Sequence, residues 1–250
     1  MLFKRKRNRI KPLYKKFLWL KENIQNRVKI LKFKKKKWTY LITQYLKSLK
    51  RYNKFKLKDQ TRFIVTKYSN KNNAYKKKFK QSLISRKKFK LYYGNISNKL
   101  LKKNINCAFK IVKNKIVNLN NKFLELFETR LDIVLFRAKF SKSVRNSKQL
   151  ISHGNVLVNN SIIKYPSYSL KTGDLISINK HSVRLVEKNL KYFIKNKMEN
   201  RISLWPLPPK HLIINYKTME IVINKLQPTN FESEYLFNLN LEKILLNKYF

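Results

Sequence analysis

Acidic residues are scarce in this sequence: 12 Asp and Glu stand against 60 Lys and Arg, for a net charge of +48. A chain so charged repels itself and is destabilised as a compact body unless a polyanion is nearby. DNA, RNA or an anionic membrane would each serve. Glycine is scarcer still, with 3 residues in 250. Positive φ is therefore expensive almost everywhere, and Asn is expected to serve at turns. The single cysteine, Cys107, excludes an internal disulfide and a multi-cysteine zinc site. It reads as a half-buried small side chain. No apolar run approaches the roughly 18 residues of a membrane-spanning helix, so none is expected. The start, "MLFKRKRNRIKPLYKK", has no secretory h-region. It also lacks the Ser richness and clean amphipathic spacing of a presequence.

What is present points to a folded chain. Hydrophobic residues make up 43%, enough for a sizeable core and too many for a disordered tail. Length is consistent with one or two domains. Lys, Asn, Ile, Phe and Tyr abound, all residues of AT-rich codons, as in small organelle genomes and some nuclear ones. Charge is uneven. Forty of the 60 cations precede residue 125, where the only acids are Glu22 and Asp59. The later half carries the other 10 acids and resembles an ordinary soluble domain.

Residues 1–70 are helix-prone. Ile24, Val28 and Leu31, then Trp38, Leu41, Tyr45 and Leu49, recur at spacings of three and four opposite a cationic face. Lys34–Lys37 is too dense in charge to be a stable helix alone. Its interleaving with Phe33, Trp38 and Tyr40 favours a nucleic-acid face over a merely solvated one. Residues 71–90 read as a basic helix or extended arm. Gly94-Asn95 breaks the pattern, and Ser97 would cap a helix burying Leu100, Leu101 and Ile105. Asn114–Asn121 reads as a loop. "KYFIKNKMENRIS" reads as a link, and Pro206, Pro208 and Pro209 exclude a regular helix. Leu212–Ile214 and Met219–Ile223 would be edge strands or a hairpin. Leu236–Leu245 would hold a small helix. There is no internal repeat.

The segment "RLDIVLFRAKFSKSVRNSKQLISHGNVLVNN", Arg130 to Asn160, is the most orderly part. Leu131, Val134, Leu135 and Ala138 share one helical face, with Asp132 in the first turn to complement the dipole. Ser143 would cap a second helix over Val144–Ile151, with Leu150 and Ile151 facing the core. Arg137, Lys142, Arg145, Lys148 and His153 are then left to point outward. "NVLVNN" alternates as a strand ending in an Asn159-Asn160 turn. Thr172–Asp174 would be a turn and Leu175–Ile178 a strand. The product is a small α/β module in which a helix pair projects cations beside a hairpin.

"RLDIVLFR", "KQLISHGNVLVN" and "TGDLISI" occur here in an order and spacing that resemble the S4 RNA-binding domain, in the form found in the uS4 family of small-subunit ribosomal proteins. "NRIKPLYKKFLWLKENIQNRVKILKFKKKKW" is similar to the amino-terminal arm of mitochondrially encoded members. "KLYYGNISNKLLKK", "PPKHLIINYKTMEIVINKL" and "LEKILLNKYF" resemble the helical domain, the segment after the module and the carboxyl end. The match is tight in the middle and loose at both ends, and weakest over 50–80 and the tail. Lys139 and Asn160 stand where the family usually has Gly, and Val144 where it often has Arg. The cysteine zinc site of some bacterial members is absent.

The resemblance implies an α+β architecture: a basic helical domain, split in sequence by an inserted S4 module, with an extended basic arm. The expected parts are an arm with helices at 1–70, the first helical part at 71–128, the module at 129–190, and a return segment at 191–250. That segment would bring short strands and a terminal helix to complete the first domain. It also implies a structural constituent of an organellar small ribosomal subunit, mitochondrial first and plastid second. Its role would be to organise 5′-domain rRNA during assembly, near the side where mRNA enters. Expected partners are rRNA and neighbouring ribosomal proteins, with no membrane and no homo-oligomer. No cofactor or protein metal site is expected, and any Mg2+ would come with the RNA.

The expected RNA-binding residues in the module are Arg130, Arg137, Lys142, Arg145, Lys148 and His153. In the arm they are Arg27, Lys32, Lys34, Lys35, Lys36, Lys37, Trp38 and Arg51, and in the helical part Arg86, Lys87 and Lys88. Trp38 would either stack on a base or pack in the core, and His153 would either donate to RNA or be structural. S4 modules also occur in pseudouridine synthases, some methyltransferases and tyrosyl-tRNA synthetases. This chain has no Gly-rich cofactor loop, and no acid pair beside a histidine, to support catalysis. A standalone RNA-binding factor would need neither the arm nor the split domain. A membrane-surface protein would not need the hairpin.

Overall fold

A computed structural model describes residues 12–25, 27–54, 75–113, 118–200, 209, 211–224, 239 and 241–245. The start of the chain, residues 114–117 of the expected loop, Trp205, Pro206, Pro208 and Leu236 lie outside the described residues.

In the first part, α1 (Leu13–Leu20) ends where Lys21 turns left-handed, at φ 57°. The amphipathic spacing from Ile24 does not yield one long helix. Short 3-10 helices at Val28–Lys32 and Lys36–Trp38 occupy that stretch, and α2 (Thr39–Lys54) begins only after the lysine run. Mutual repulsion along Lys34–Lys37 disfavours a helix there without excluding one. Then follow α3 (Tyr75–Tyr92), α4 (Asn98–Lys113) and α5 (Leu119–Glu128). Residues 75–90 are thus helix and not extended arm. The Leu100 amide donates to Ser97 Oγ at 3.2 Å, capping α4. The Asn120 amide donates to Asn118 Oδ1 at 3.0 Å, so part of the expected loop is the start of α5.

Aromatic rings dominate this helical core. Phe89, Tyr93, Phe123 and Phe127 form a mutual cluster with ring centroids 4.7 to 5.3 Å apart, in edge-on, tilted and stacked geometries. A second cluster joins Tyr14, Phe17, Phe33 and Trp38.

The module begins with α6 (Leu131–Arg137), every residue of which is buried. Leu131, Val134, Leu135 and the following Ala138 enter the module's core, as their shared face requires. Ile133 and Phe136 enter the helical core. One short helix is therefore a wall common to both cores. Next comes α7 (Val144–Ser152), capped by Ser143 Oγ, which accepts from the Asn146 amide at 3.2 Å.

The strands are β1 (Val156–Val158), β2 (Ser161–Ile162), β3 (Leu175–Ile178), β4 (Leu212–Asn215) and β5 (Glu220–Ile223). They form one antiparallel sheet in the order β2-β1-β3-β5-β4. Val156 opposes Ile178, and Ile176 opposes Ile221, so apolar side chains line up on the buried face. The β1–β2 turn places Asn159 and Asn160 at φ 49° and 64°, the two positive values of a type I′ hairpin. Lys139 sits at φ 66°. Lys139 and Asn160, which replace the glycines of the resemblance, keep glycine's backbone geometry at about 1–2 kcal/mol each.

Two expectations for the later chain differ from the structure. "KYFIKNKMENRIS" is no link at its start: residues 191–200 continue α8 (Val183–Asn200). Val186 and Leu190 pack on the module, and Asn189 Nδ2 donates to the Phe140 carbonyl at 2.9 Å. Leu, Lys, Glu and Met are all good helix formers, which outweighed the want of a broad apolar face. The return segment also divides. Its hairpin β4–β5 pairs with β3 and extends the module's sheet instead of joining the helical domain. Among the described residues, Leu239, Leu241 and α9 (Glu242–Leu245) go back, with Ile244 and Leu245 in the helical core. Ser82 Oγ donates to the Lys243 carbonyl at 3.0 Å, and Lys243 Nζ to Gln81 Oε1 at 2.7 Å.

Candidate nucleic-acid interface

Two of the module's expected surface arginines are internal braces. Arg137 was expected outside but is 3% exposed. Its Nε and Nη2 donate to Glu128 Oε2 and Oε1 at 3.0 and 2.7 Å. The Tyr93 hydroxyl donates to the same carboxylate at 2.6 Å. Burial works to raise the Glu128 carboxyl, but the charge and hydrogen bonds of Arg137, with Tyr93 and His211, outweigh it and hold it below the usual range. Burial lowers His211, against the pull of Glu128, so its neutral form is favoured. Helical layer, module and return segment thus meet at one buried carboxylate. Arg130 makes a second fork, with Nε and Nη2 donating to Asp132 Oδ1 and Oδ2 at 3.0 and 2.9 Å. Asp132 is fully buried and fixes the start of α6. Lys148 Nζ lies 3.8 Å from the same carboxylate, half-exposed.

Of the module's expected RNA-binding residues, Lys142, Arg145 and His153 are exposed, at the two ends of α7. Lys142 Nζ rests 4.7 Å from the Tyr192 ring centroid. In the arm, Lys32 and Lys34–Lys37 are all exposed. Trp38 is 9% exposed and turned inward against Tyr14 and Phe33, so of its two readings packing is the one seen. Lys88 is buried and paired with Glu22 at 2.7 Å, whereas Lys87 is exposed and Arg86 half-buried. Arg51 lies on α2, with its side chain outside the described residues.

A seam joins these parts. Gly94, at φ 79°, faces Val144: a Cβ there would come within 2.6 Å of Val144 Cγ1. Only glycine allows the turn and α7 to approach so closely. Val144, where the resemblance favours Arg, is therefore a packing residue, and the neighbouring Arg145 carries the charge outward. Across this contact cations converge. Arg27 Nη1 donates to the Lys142 carbonyl at 3.4 Å. Lys16 Nζ donates to Asn95 Oδ1 at 3.4 Å. Burial first, then the charge of Arg145, lowers Lys16; burial and, more weakly, Arg145 also lower Arg27. Lys90 is lowered by burial and then by Lys16, Lys87 and Arg86. Mutual repulsion among α1, α3 and α7 is thus built into the fold, and an anion would relieve it.

Sequence reasoning missed Lys16, Lys90 and Asn95. Lys16 is far in the chain from Arg145, and it does not stand out among so many cations. Only the Gly94-Asn95 break hinted at a close contact. Among the described residues before Glu125, Glu22 is the one acid, and Lys88 occupies it. No group of three or more His, Cys, Asp or Glu that could hold a metal occurs among the described residues. No helix there is long and apolar enough to cross a membrane.

Comparison with known proteins gives the arrangement a family. The S4 domain family matches residues 129–176. Small ribosomal subunit protein uS4m of Marchantia polymorpha is 30% identical over 187 residues, covering 74% of this chain and 89% of that protein. The uS4m protein of Reclinomonas americana is 29% identical over 231 residues, covering 92% and 89%. Small ribosomal subunit protein uS4c of Monoclea forsteri is 30% identical over 172 residues, covering 68% and 81%. With an S4 module set between helices that share its wall, and relatives matched along most of their length, this chain belongs to the small ribosomal subunit protein uS4 family.

Proposed function

We propose that the chain is a structural constituent of the small ribosomal subunit of a mitochondrion, binding and organising rRNA, with the plastid as second compartment. The observation that carries the RNA-binding part is the seam where Gly94 packs on Val144, Lys16 reaches Asn95, and Arg27 reaches the Lys142 carbonyl close to Arg145. Folded RNA crowds phosphates at helix junctions and is recognised by shape, phosphates and 2′-hydroxyls. Arg27 and Arg145 would offer forks to single phosphates, and lysines mobile point charges. Lys142, Lys148 and His153 would extend the contact along α7. Lys32, Lys34–Lys37 and Lys87 would extend it over the helical layer, as would Arg51 and Arg86. Arg130, Arg137 and Lys88 act from inside, by fixing the elements that carry the others.

The finer placing is 5′-domain rRNA during assembly, near the side where mRNA enters. Neighbouring ribosomal proteins complete the surroundings, without a membrane, a second copy or catalysis. The helical parts on either side of the module form one domain, to which α9 returns.

Binding of a transcribed small-subunit rRNA 5′ domain by the full chain, titrated over salt, tests this. Arg145→Ala should weaken binding and reduce the salt slope by about 1. Equal affinity for duplex DNA of the same length, or an unchanged slope, would count against it.

A further inference from the structure

We infer that the exposed indole of Trp19 is a stacking platform for an unpaired base of the RNA, with Lys87 as its phosphate partner. This rests on the RNA-binding reading and adds a residue and a ligand feature to it. Trp19, on α1, is 52% exposed, whereas Trp38 is buried. Leaving so large an apolar ring in water forgoes burial that the neighbouring aromatics obtain. Lys87 of α3 lies over it, with Nζ 3.9 Å from the ring centroid. Lys87 stands three residues before Lys90 on α3, and Trp19 three after Lys16 on α1, so each shares a helix face with a cation of the seam. The ring therefore borders the seam. Tyr40 of α2 repeats the arrangement: it is 55% exposed, with Lys21 Nζ 5.8 Å from its centroid.

The occupant must offer an anion and a flat aromatic face together. An acidic peptide supplies only the first. A paired RNA helix hides its base faces. An unpaired base beside its own phosphate supplies both. A base stack on an indole is stronger than a cation held over an exposed ring. The base then takes the indole face that Lys87 covers, and the ammonium moves to the adjoining phosphate. Glu22, the acid nearest in sequence, cannot compete, because it is paired with Lys88.

The test uses the full chain and two RNA hairpins, identical except that one carries a bulged adenine. The wild-type chain should prefer the bulged hairpin, with Trp fluorescence quenched on binding. Trp19→Leu should cut that preference about tenfold, and Trp19→Phe should keep most of it. Lys87→Gln should lower the salt slope by about 1 on the bulged hairpin. If Trp19→Leu leaves the preference intact, or weakens both hairpins alike, the platform is wrong while RNA binding stands. If the wild-type chain binds neither hairpin but binds phosphatidylserine vesicles with a blue shift in Trp emission, both readings fall.

Discussion

The helical layer and the module handle charge in opposite ways. In the helical layer, none of α1 to α5 has an acid in its first turn, and its one described acid before Glu125 is spent on Lys88. Cohesion comes from aromatic rings, and the cations outside are left to repel. In the module, a buried arginine is balanced by the module's own carboxylate. Asp132 opens α6, and Arg130 closes on it in a buried fork. The first region depends more on the anion it meets, whereas the second neutralises part of its buried charge from within. What couples them is Glu128, which the helical layer supplies and Arg137 of the module satisfies.

Breaking that coupling should have the largest effect. Arg137→Ala leaves Glu128 buried without its main cation and should cost about 3–5 kcal/mol. Denaturant unfolding of the RNA-bound chain would measure it, and a loss under 1 kcal/mol would show that the two regions do not depend on the pair. Ligand linkage comes next. RNA at about 100 times its Kd should stabilise what it binds by about 2.7 kcal/mol. Hydrogen exchange should show this gain in α1 and α2 more than in β1 and β3, and equal gains would erase the contrast. Gly94→Ala should destabilise by about 1–3 kcal/mol, through a strained φ and contact with Val144. A Gly94→Ala, Val144→Ala double variant should recover part of the loss. The smallest effect concerns pH. His211 has a lowered folded-state value, so its contribution is present above the ordinary imidazole range, near pH 6.5, and lost as pH falls through it. Thermal melts between about pH 7 and 5 should decline for the wild type, and more shallowly for His211→Gln.

The same contrast explains what could be read from the sequence. The module was legible because its signals are local. Ser143, Asn159-Asn160 and the alternation at Leu175–Ile178 each decide a few residues, and the structure follows them. The spacing of Leu131, Val134, Leu135 and Ala138 likewise gave their shared face. Its partner face, Ile133 and Phe136, depends on the helical core and was not visible. Arg137 looked like any helix-surface cation until Glu128 was seen beneath it. The seam was least legible, because like charges at distant positions leave no period. Trp38 and Trp19 have similar basic surroundings in sequence, and only packing separates the buried ring from the exposed one.

The return hairpin and α9 have a consequence for the order of events during synthesis. The module's sheet lacks its β3–β5 pairing until residue 223 has been made, and the helical core lacks Ile244 and Leu245 for longer still. Neither half has its full set of contacts while the polypeptide is emerging. The nascent chain therefore presents its lysines early and its finished shape late, so that contact with a nucleic acid can begin before compaction ends.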